Sequence, residues 1–235
     1  MEATWHRDSA VGRLTMTLPI VVIALLIPVG LFLDELPRVV RFAPFVVSVG
    51  LFGLPHGAVD HLMPVRLSDT ALGRSLAVVS IVYAILGGLY LAVWAISPAV
   101  ALVAFIGMTW FHWGQGDAFA LRAFGEAGHI RTQSDRWASL VVRGGLPMLV
   151  PLLGQPDSYQ RVVNGIIELF DPAATAALTP LFRLDTRLAL GVGFVVFTLS
   201  SLLWTARHVW RGDTSTAGIA WDAVEIGVLW VFFWL

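Results

Sequence analysis

Long apolar runs constrain this chain more than any other feature of its sequence. A helix needs about 20 apolar residues to cross a bilayer core about 30 Å thick, and runs of this length recur along the chain. We predict six spans and the start of a seventh: they lie at about 14–33, 43–63, 76–96, 98–120, 138–153 and 186–206, and the last begins near Ala223. The predicted fold is an all-α polytopic transmembrane helix bundle that forms one integral-membrane domain over residues 1–235.

Charge supports this class and predicts an orientation. The chain is 57% hydrophobic and only 13% charged. Nine arginines lie in the N-terminal segment and in the loops after spans two, four and six, against five on the opposite side. Because arginine-rich loops stay in the cytoplasm, we expect a cytoplasmic N-terminus in a multi-pass protein of the cell membrane. The segment "YQRVVNGIIELF", between spans five and six, predicts an interfacial helix.

Two absences in the composition exclude whole classes of chemistry. The chain has no cysteine and therefore neither a thiolate nucleophile nor a cysteine metal site. All 15 basic residues are arginine, so the chain cannot hold retinal as a lysine Schiff base in the manner of a photoreceptor. A net charge of -1 without a basic run gives no reason to expect a nucleic-acid partner.

The stretch "FGLPHGAVDHLMP", residues 52–64, places two histidines and an aspartate inside an apolar run. His56 and Asp60 are four residues apart and share a helix face. One ring nitrogen of His56 can therefore bind a metal while the other donates to the carboxylate. His61 lies about 140° around the helix from His56 and cannot easily bind the same ion.

A second histidine lies in "FHWGQGD" on the fourth span. His56 follows Ala43 by 13 residues and His112 follows Pro98 by 14, so in spans of the same direction the two imidazoles lie at nearly equal depth. They are candidates for a shared metal, although an isolated transmembrane histidine also commonly bonds only to a neighbouring helix. The aromatic residues nearby either line a cavity or form an interfacial belt: Tyr83, Tyr90, Trp110, Phe111, Trp113 and Phe119.

Other polar residues receive structural interpretations. We expect Asp117 and Arg122 at the membrane surface, and we expect Arg143, inside a span, to snorkel or to pair. His6, His129 and His208 lie in polar segments and are predicted to be solvated.

The two histidine motifs resemble those of the Brp/Blh family, the membrane-embedded β-carotene 15,15'-dioxygenases. The likeness extends more loosely to "WDAVEIGVLWVFFWL" at the end of the chain. It implies a non-haem Fe(II) held by four histidines, of which His56 and His112 carry over as ligands, with Asp60 as the residue that orients His56. His61 does not carry over.

The family's later His-x-x-x-His pair has no counterpart in these 235 residues, and the last apolar run continues for only about a dozen residues. We therefore expect an incomplete copy of a longer protein, with the remaining ligands beyond Leu235 and no activity in this chain alone.

The resemblance implies that O2 cleaves β-carotene, which resides in the bilayer, at its central double bond. The product is two molecules of all-trans-retinal, passed to a microbial rhodopsin. A proton-coupled membrane carrier is the alternative, since carriers also bury His and Asp in helices interrupted by Pro and Gly. A carrier predicts proton-dependent flux and no bound iron.

Overall fold

The structure, a computed structural model, describes residues 12–32, scattered positions between 37 and 50, and residues 59–124 and 127–235. All regular secondary structure in these residues is helical. A π-helical turn, Arg13–Thr17, leads into α1, and a 3-10 helix, Pro172–Phe182, lies between α6 and α7. The α-helices are α1 (Leu18–Phe32), α2 (Leu62–Ser68), α3 (Leu72–Ile96), α4 (Pro98–Phe124), α5 (Gln133–Gly154), α6 (Pro156–Ile167), α7 (Leu184–Trp210) and α8 (Thr216–Trp234).

Four of these helices, α3, α5, α7 and α8, are long and apolar enough to cross a membrane. Helices α3, α5 and α7 form over the predicted spans 76–96, 138–153 and 186–206; α5 and α7 extend beyond both ends of their spans, and α3 begins earlier but ends at Ile96 as predicted. Helix α4 forms over the fourth predicted span, but the polar residues of its C-terminal half keep it out of that group of four. The second predicted span lies mostly outside the described residues.

The last helix is longer than the sequence pattern predicts. The expected run begins near Ala223 and is too short to cross, whereas α8 begins at Thr216 and has 19 residues. At 1.5 Å per residue α8 is about 28 Å long, so the expectation was wrong for this helix. Asp222 and Glu225 interrupt the apolar pattern, yet both are buried inside the fold.

The chain contacts divide the protein into two compact units, and the prediction of a single domain stays a prediction. One unit contains α1 and residues 98–235, and the other lies within residues 33–97. In the smaller unit, Ser75 of α3 donates a hydrogen bond to the backbone carbonyl of His61. The hydroxyl of Tyr83, also on α3, donates to Asp60. The start of α2 is therefore fixed to α3.

Helix α5 is the centre of the larger unit and packs against α4, α7 and α8. Its apolar side chains form the core with Phe194 of α7 and Ile226 of α8. A Cβ atom added at Gly114 or Gly144 would lie under 3.0 Å from the backbone of the other helix. Small residues of this kind let two membrane helices approach closely, so these glycines set the contact between α4 and α5.

The amphipathic segment between the predicted spans five and six forms a helix, as expected. Helix α6 begins with Pro156 in its first turn, the position where proline is best tolerated. Val163 and Ile167 bury its apolar face. The location of α6 at a membrane interface stays a prediction.

Candidate functional site

The predicted site residues fall in different parts of the structure. His56 lies outside the described residues, so its proposed pairing with Asp60 stays a prediction. Asp60 is partly exposed and accepts the hydrogen bond from Tyr83. His112 lies on α4, in the other unit, and is exposed. Within the described ranges, no group of three or more His, Asp or Glu side chains is arranged to hold a metal ion.

His112 lies on the face of α4 that points away from α5. Gly114, Ala118 and Leu121 are buried on the opposite side of the helix. The residues one and two turns from His112 on its own face, among them Phe105, Met108 and Phe119, are exposed. His112 therefore stands in the middle of a largely apolar stripe that does not pack into the α4–α5 core.

Two grooves border this stripe. The first, which we name the apolar groove, runs between α4, α5 and α6 and has a volume of about 350 Å³. Its walls include Leu102, Phe105, Met148, Tyr159 and Val162. Burial raises the pKa of the Tyr159 hydroxyl above its usual value, so this group remains a neutral phenol at physiological pH.

The second groove, which we name the mixed groove, lies between α4 and the first half of α5 and has a volume of about 380 Å³. Apolar and polar side chains alternate along it: Phe111, Gln115, Phe119, Arg122, Gln133, Arg136, Trp137 and Leu140 are among them. Of the aromatic residues in the sequence motif, Phe111 and Phe119 thus line a groove. Trp110 instead packs on Phe194 with ring centroids 6.0 Å apart, and its indole nitrogen donates to the Val141 carbonyl.

A buried ionic cluster joins α4, α5 and α8. The guanidinium of Arg143 on α5 has no exposed surface. It donates to Asp117 of α4 at 2.5 Å, to Asp222 of α8 at 2.6 Å and to Glu225 of α8 at 2.7 Å. Of the two expectations for Arg143, snorkelling or pairing, the structure confirms pairing. Asp117 keeps 35% of its side chain exposed and serves as a partner of Arg143.

The expectation that His129 and His208 are solvated was wrong. His129 is only 1% exposed, and its Nε2 atom lies 3.0 Å from Asp222. His208 is 5% exposed, and its Nε2 atom lies 3.1 Å from Asp135. Both histidines are therefore buried and paired with a carboxylate that is distant in sequence, and His208 also lies 3.4 Å from the nearby Asp213.

Asp135 is the centre of a second buried network. Its carboxylate caps the start of α5 by accepting hydrogen bonds from the backbone nitrogens of Arg131 and Thr132. It also accepts bonds from three side chains of α7, those of Trp204, Arg207 and His208. Because the carboxylate itself is fully buried, these donors compensate its loss of hydration.

The sequence alone did not predict which residues form either network. The available signal was an arginine in one apolar run and two carboxylates in another, since unpaired charges in membrane helices are too costly to leave without partners. The pairing itself joins residues about 80 positions apart along the chain.

These features define an α-helical membrane protein in which buried charges are paired between helices and one histidine stands on an exposed apolar face. The chain belongs to the Beta-carotene 15,15'-dioxygenase family, whose model matches residues 47–235. The matched region includes both histidine motifs.

Two relatives from Halobacterium salinarum show the extent of the similarity. The chain is 42% identical over 198 residues to "Probable beta-carotene 15,15'-dioxygenase Blh" of strain NRC-1, covering 83% of this chain and 55% of that relative. It is 26% identical over 235 residues to "Probable beta-carotene 15,15'-dioxygenase Brp" of strain R1, covering 98% of this chain and 63% of that relative. The chain thus spans a little over half the length of these relatives. No solved structure matches it.

Proposed function

We propose that the protein cleaves β-carotene with O2 at the central 15,15' double bond and releases two molecules of all-trans-retinal. The observation that carries this proposal is the family match over residues 47–235, which includes both histidine motifs. The names of the two relatives support it. The exposed apolar stripe and the flanking grooves agree with an apolar substrate that enters from the lipid bilayer.

We propose Fe(II) as the metal, with His56 and His112 among its ligands and further imidazoles from outside the described residues. The donor chemistry fits, because imidazole suits iron and His112 lies on an exposed face of α4. The carboxylates of Asp222 and Glu225 do not fit, since Arg143 already engages them. A bound Fe(II) would supply the activation of O2. Asp60 would orient His56, and the hydrogen bond from Tyr83 would hold Asp60.

The other residues have positioning roles in this proposal. Arg143 holds α4 through Asp117, five residues after His112, and therefore fixes the helix that carries the histidine. The grooves bind the polyene and exclude water from it. We further propose a multi-pass protein of the cell membrane with a cytoplasmic N-terminus, and delivery of retinal to a microbial rhodopsin.

The test is retinal formation by the complete protein in cells that accumulate β-carotene. His56→Ala and His112→Ala should abolish retinal formation and lower the iron content of the purified protein, because each removes a proposed ligand. His61→Ala is the matched control: it lies in the same motif, its side chain makes no hydrogen bond to the residues that the structure describes, its backbone carbonyl accepts one from Ser75, and it should retain activity.

Two outcomes would contradict the proposal. Retinal formation by His112→Ala at the wild-type rate would overturn the ligand assignment. Absence of retinal from the wild-type protein, together with proton-dependent flux in vesicles, would favour the carrier, an alternative that the family match does not support.

A further inference from the structure

Each groove includes a phenylalanine seven residues from His112 along α4. Phe105, in the apolar groove, precedes His112 by seven residues, and Phe119, in the mixed groove, follows it by seven. Seven residues are nearly two turns, so all three side chains share one face of α4. The two phenylalanines are about 21 Å apart along the helix axis, and the histidine is midway between them.

The grooves have similar size, and their phenylalanines, Phe105 and Phe119, lie at opposite ends of this stripe. Their volumes are about 350 and 380 Å³, within the range of small-molecule sites. A ligand with two equal ends and a reactive centre fits this arrangement better than a compact ligand. The separation of about 21 Å is comparable to the conjugated chain that joins the two rings of a carotenoid.

The chemistry of the grooves differs, however. The apolar groove contains Gln155 and Ser158, but protein groups occupy both: the Gln155 amide donates to the Leu235 carbonyl, and the Ser158 hydroxyl accepts from Arg161. It therefore presents an almost wholly apolar surface.

The mixed groove presents exposed polar side chains, namely Gln115, Arg122, Gln133 and Arg136. In the described part of the chain these four side chains have no hydrogen-bond or ion-pair partner. They are thus available to a polar group on a ligand.

We propose that α4 carries a two-armed carotenoid site in which one ring lies in the apolar groove, the other lies in the mixed groove, and the central double bond lies beside His112. This inference rests on the proposed function. The unequal grooves give the substrate a direction: a ring with a hydroxyl group binds only in the mixed groove, where Gln115 and Gln133 can hydrogen-bond to it. A carotenoid hydroxylated on one ring is therefore a substrate, and one hydroxylated on both rings is a poor one.

The first experiment obstructs each groove in the complete protein, assayed with β-carotene in detergent micelles. Met148→Trp obstructs the apolar groove and Leu140→Trp the mixed groove, and each should lower kcat/KM at least about tenfold, mainly through KM. Leu190→Trp, an exposed apolar position of α7 outside both grooves, is the matched control. Met148→Phe is a smaller change and serves if the tryptophan variant fails to fold.

The second experiment tests whether a hydroxylated ring binds in the mixed groove. It uses purified carotenoids hydroxylated on neither, one or both rings. The double variant Gln115→Leu, Gln133→Leu should lower the kcat/KM ratio of the mono-hydroxylated substrate to β-carotene about tenfold.

The two-groove assignment would be overturned if the groove variants and Leu190→Trp changed kcat/KM equally. It would also be overturned if the double variant left the kcat/KM ratio of the two substrates unchanged. In either case, cleavage by the wild-type protein would still support the proposed function. Failure of the wild-type protein to cleave any of these carotenoids would refute both.

Discussion

Replacing Arg143 by methionine is the sharpest test of the buried ionic cluster. The change keeps an apolar chain of similar length but removes the cation that three carboxylates share. Asp222 and Glu225 are only 7% and 6% exposed at the side chain, so water cannot replace the lost partner. Breaking a buried pair from one side costs about 3–5 kcal/mol. For a chain of this length that corresponds to a fall in Tm of about 6–20 °C.

Thermal unfolding of the detergent-solubilised protein, followed by far-ultraviolet circular dichroism, measures this shift. Arg136→Met is the matched control, because it removes an exposed arginine from the same helix and should change stability by less than about 0.5 kcal/mol. The triple variant Arg143→Met, Asp222→Asn, Glu225→Gln should recover much of the lost Tm, since neutral side chains no longer need a cation.

The reasoning would be refuted if Arg143→Met and Arg136→Met had the same Tm. A triple variant less stable than Arg143→Met alone would also refute it, because uncompensated charge would then not be the cause of the loss.

Three further results follow from single contacts. Gly144→Ala places a Cβ under 3.0 Å from the Trp110 carbonyl and should destabilise the fold by about 1–3 kcal/mol, whereas Gly193→Ala, with nothing within 4 Å, should not lower Tm. Tyr83→Phe removes the donor to Asp60 and should lower iron content and retinal yield without a comparable fall in Tm; unchanged iron content would contradict the positioning role. His112→Ala should abolish cleavage and change the free energy of unfolding by no more than about 0.5 kcal/mol, as exposed substitutions usually do. A loss of stability as large as that of Arg143→Met would instead show a structural role.

The sequence predicted helices well where the apolar pattern is continuous. Helices α3, α5 and α7 form over their predicted spans because each presents a long apolar run whose backbone groups must be satisfied internally. The pattern failed at α8, where Asp222 and Glu225 look like the end of a solvated segment. Their charges are compensated by Arg143 on another helix, and a pattern along one helix contains no information about a partner across the bundle.

The same limit explains the two histidines that were predicted to be solvated. His129 and His208 lie among polar residues, and polar neighbours in sequence normally indicate exposure. Both are nevertheless buried, and each is paired with a carboxylate 93 or 73 residues away. The position of His112 on an exposed face was equally hidden, because it is the glycine contact between α4 and α5 that decides which side of α4 faces the core.

The polar groups discussed for the larger unit are therefore of two kinds: buried charges that are paired between helices, and the exposed His112. Arg143 and Asp135 are buried, hydrogen-bonded to several partners and placed between helices, which is how membrane proteins stabilise a charge they must bury. His112 lies on the opposite face of the same helix bundle, exposed and flanked by two grooves. A residue that contributes little to packing can be placed for ligand binding only if its helix is held from the other side. Arg143 does this by fixing Asp117 on α4, so in the proposed function the ionic cluster holds the helix that carries His112.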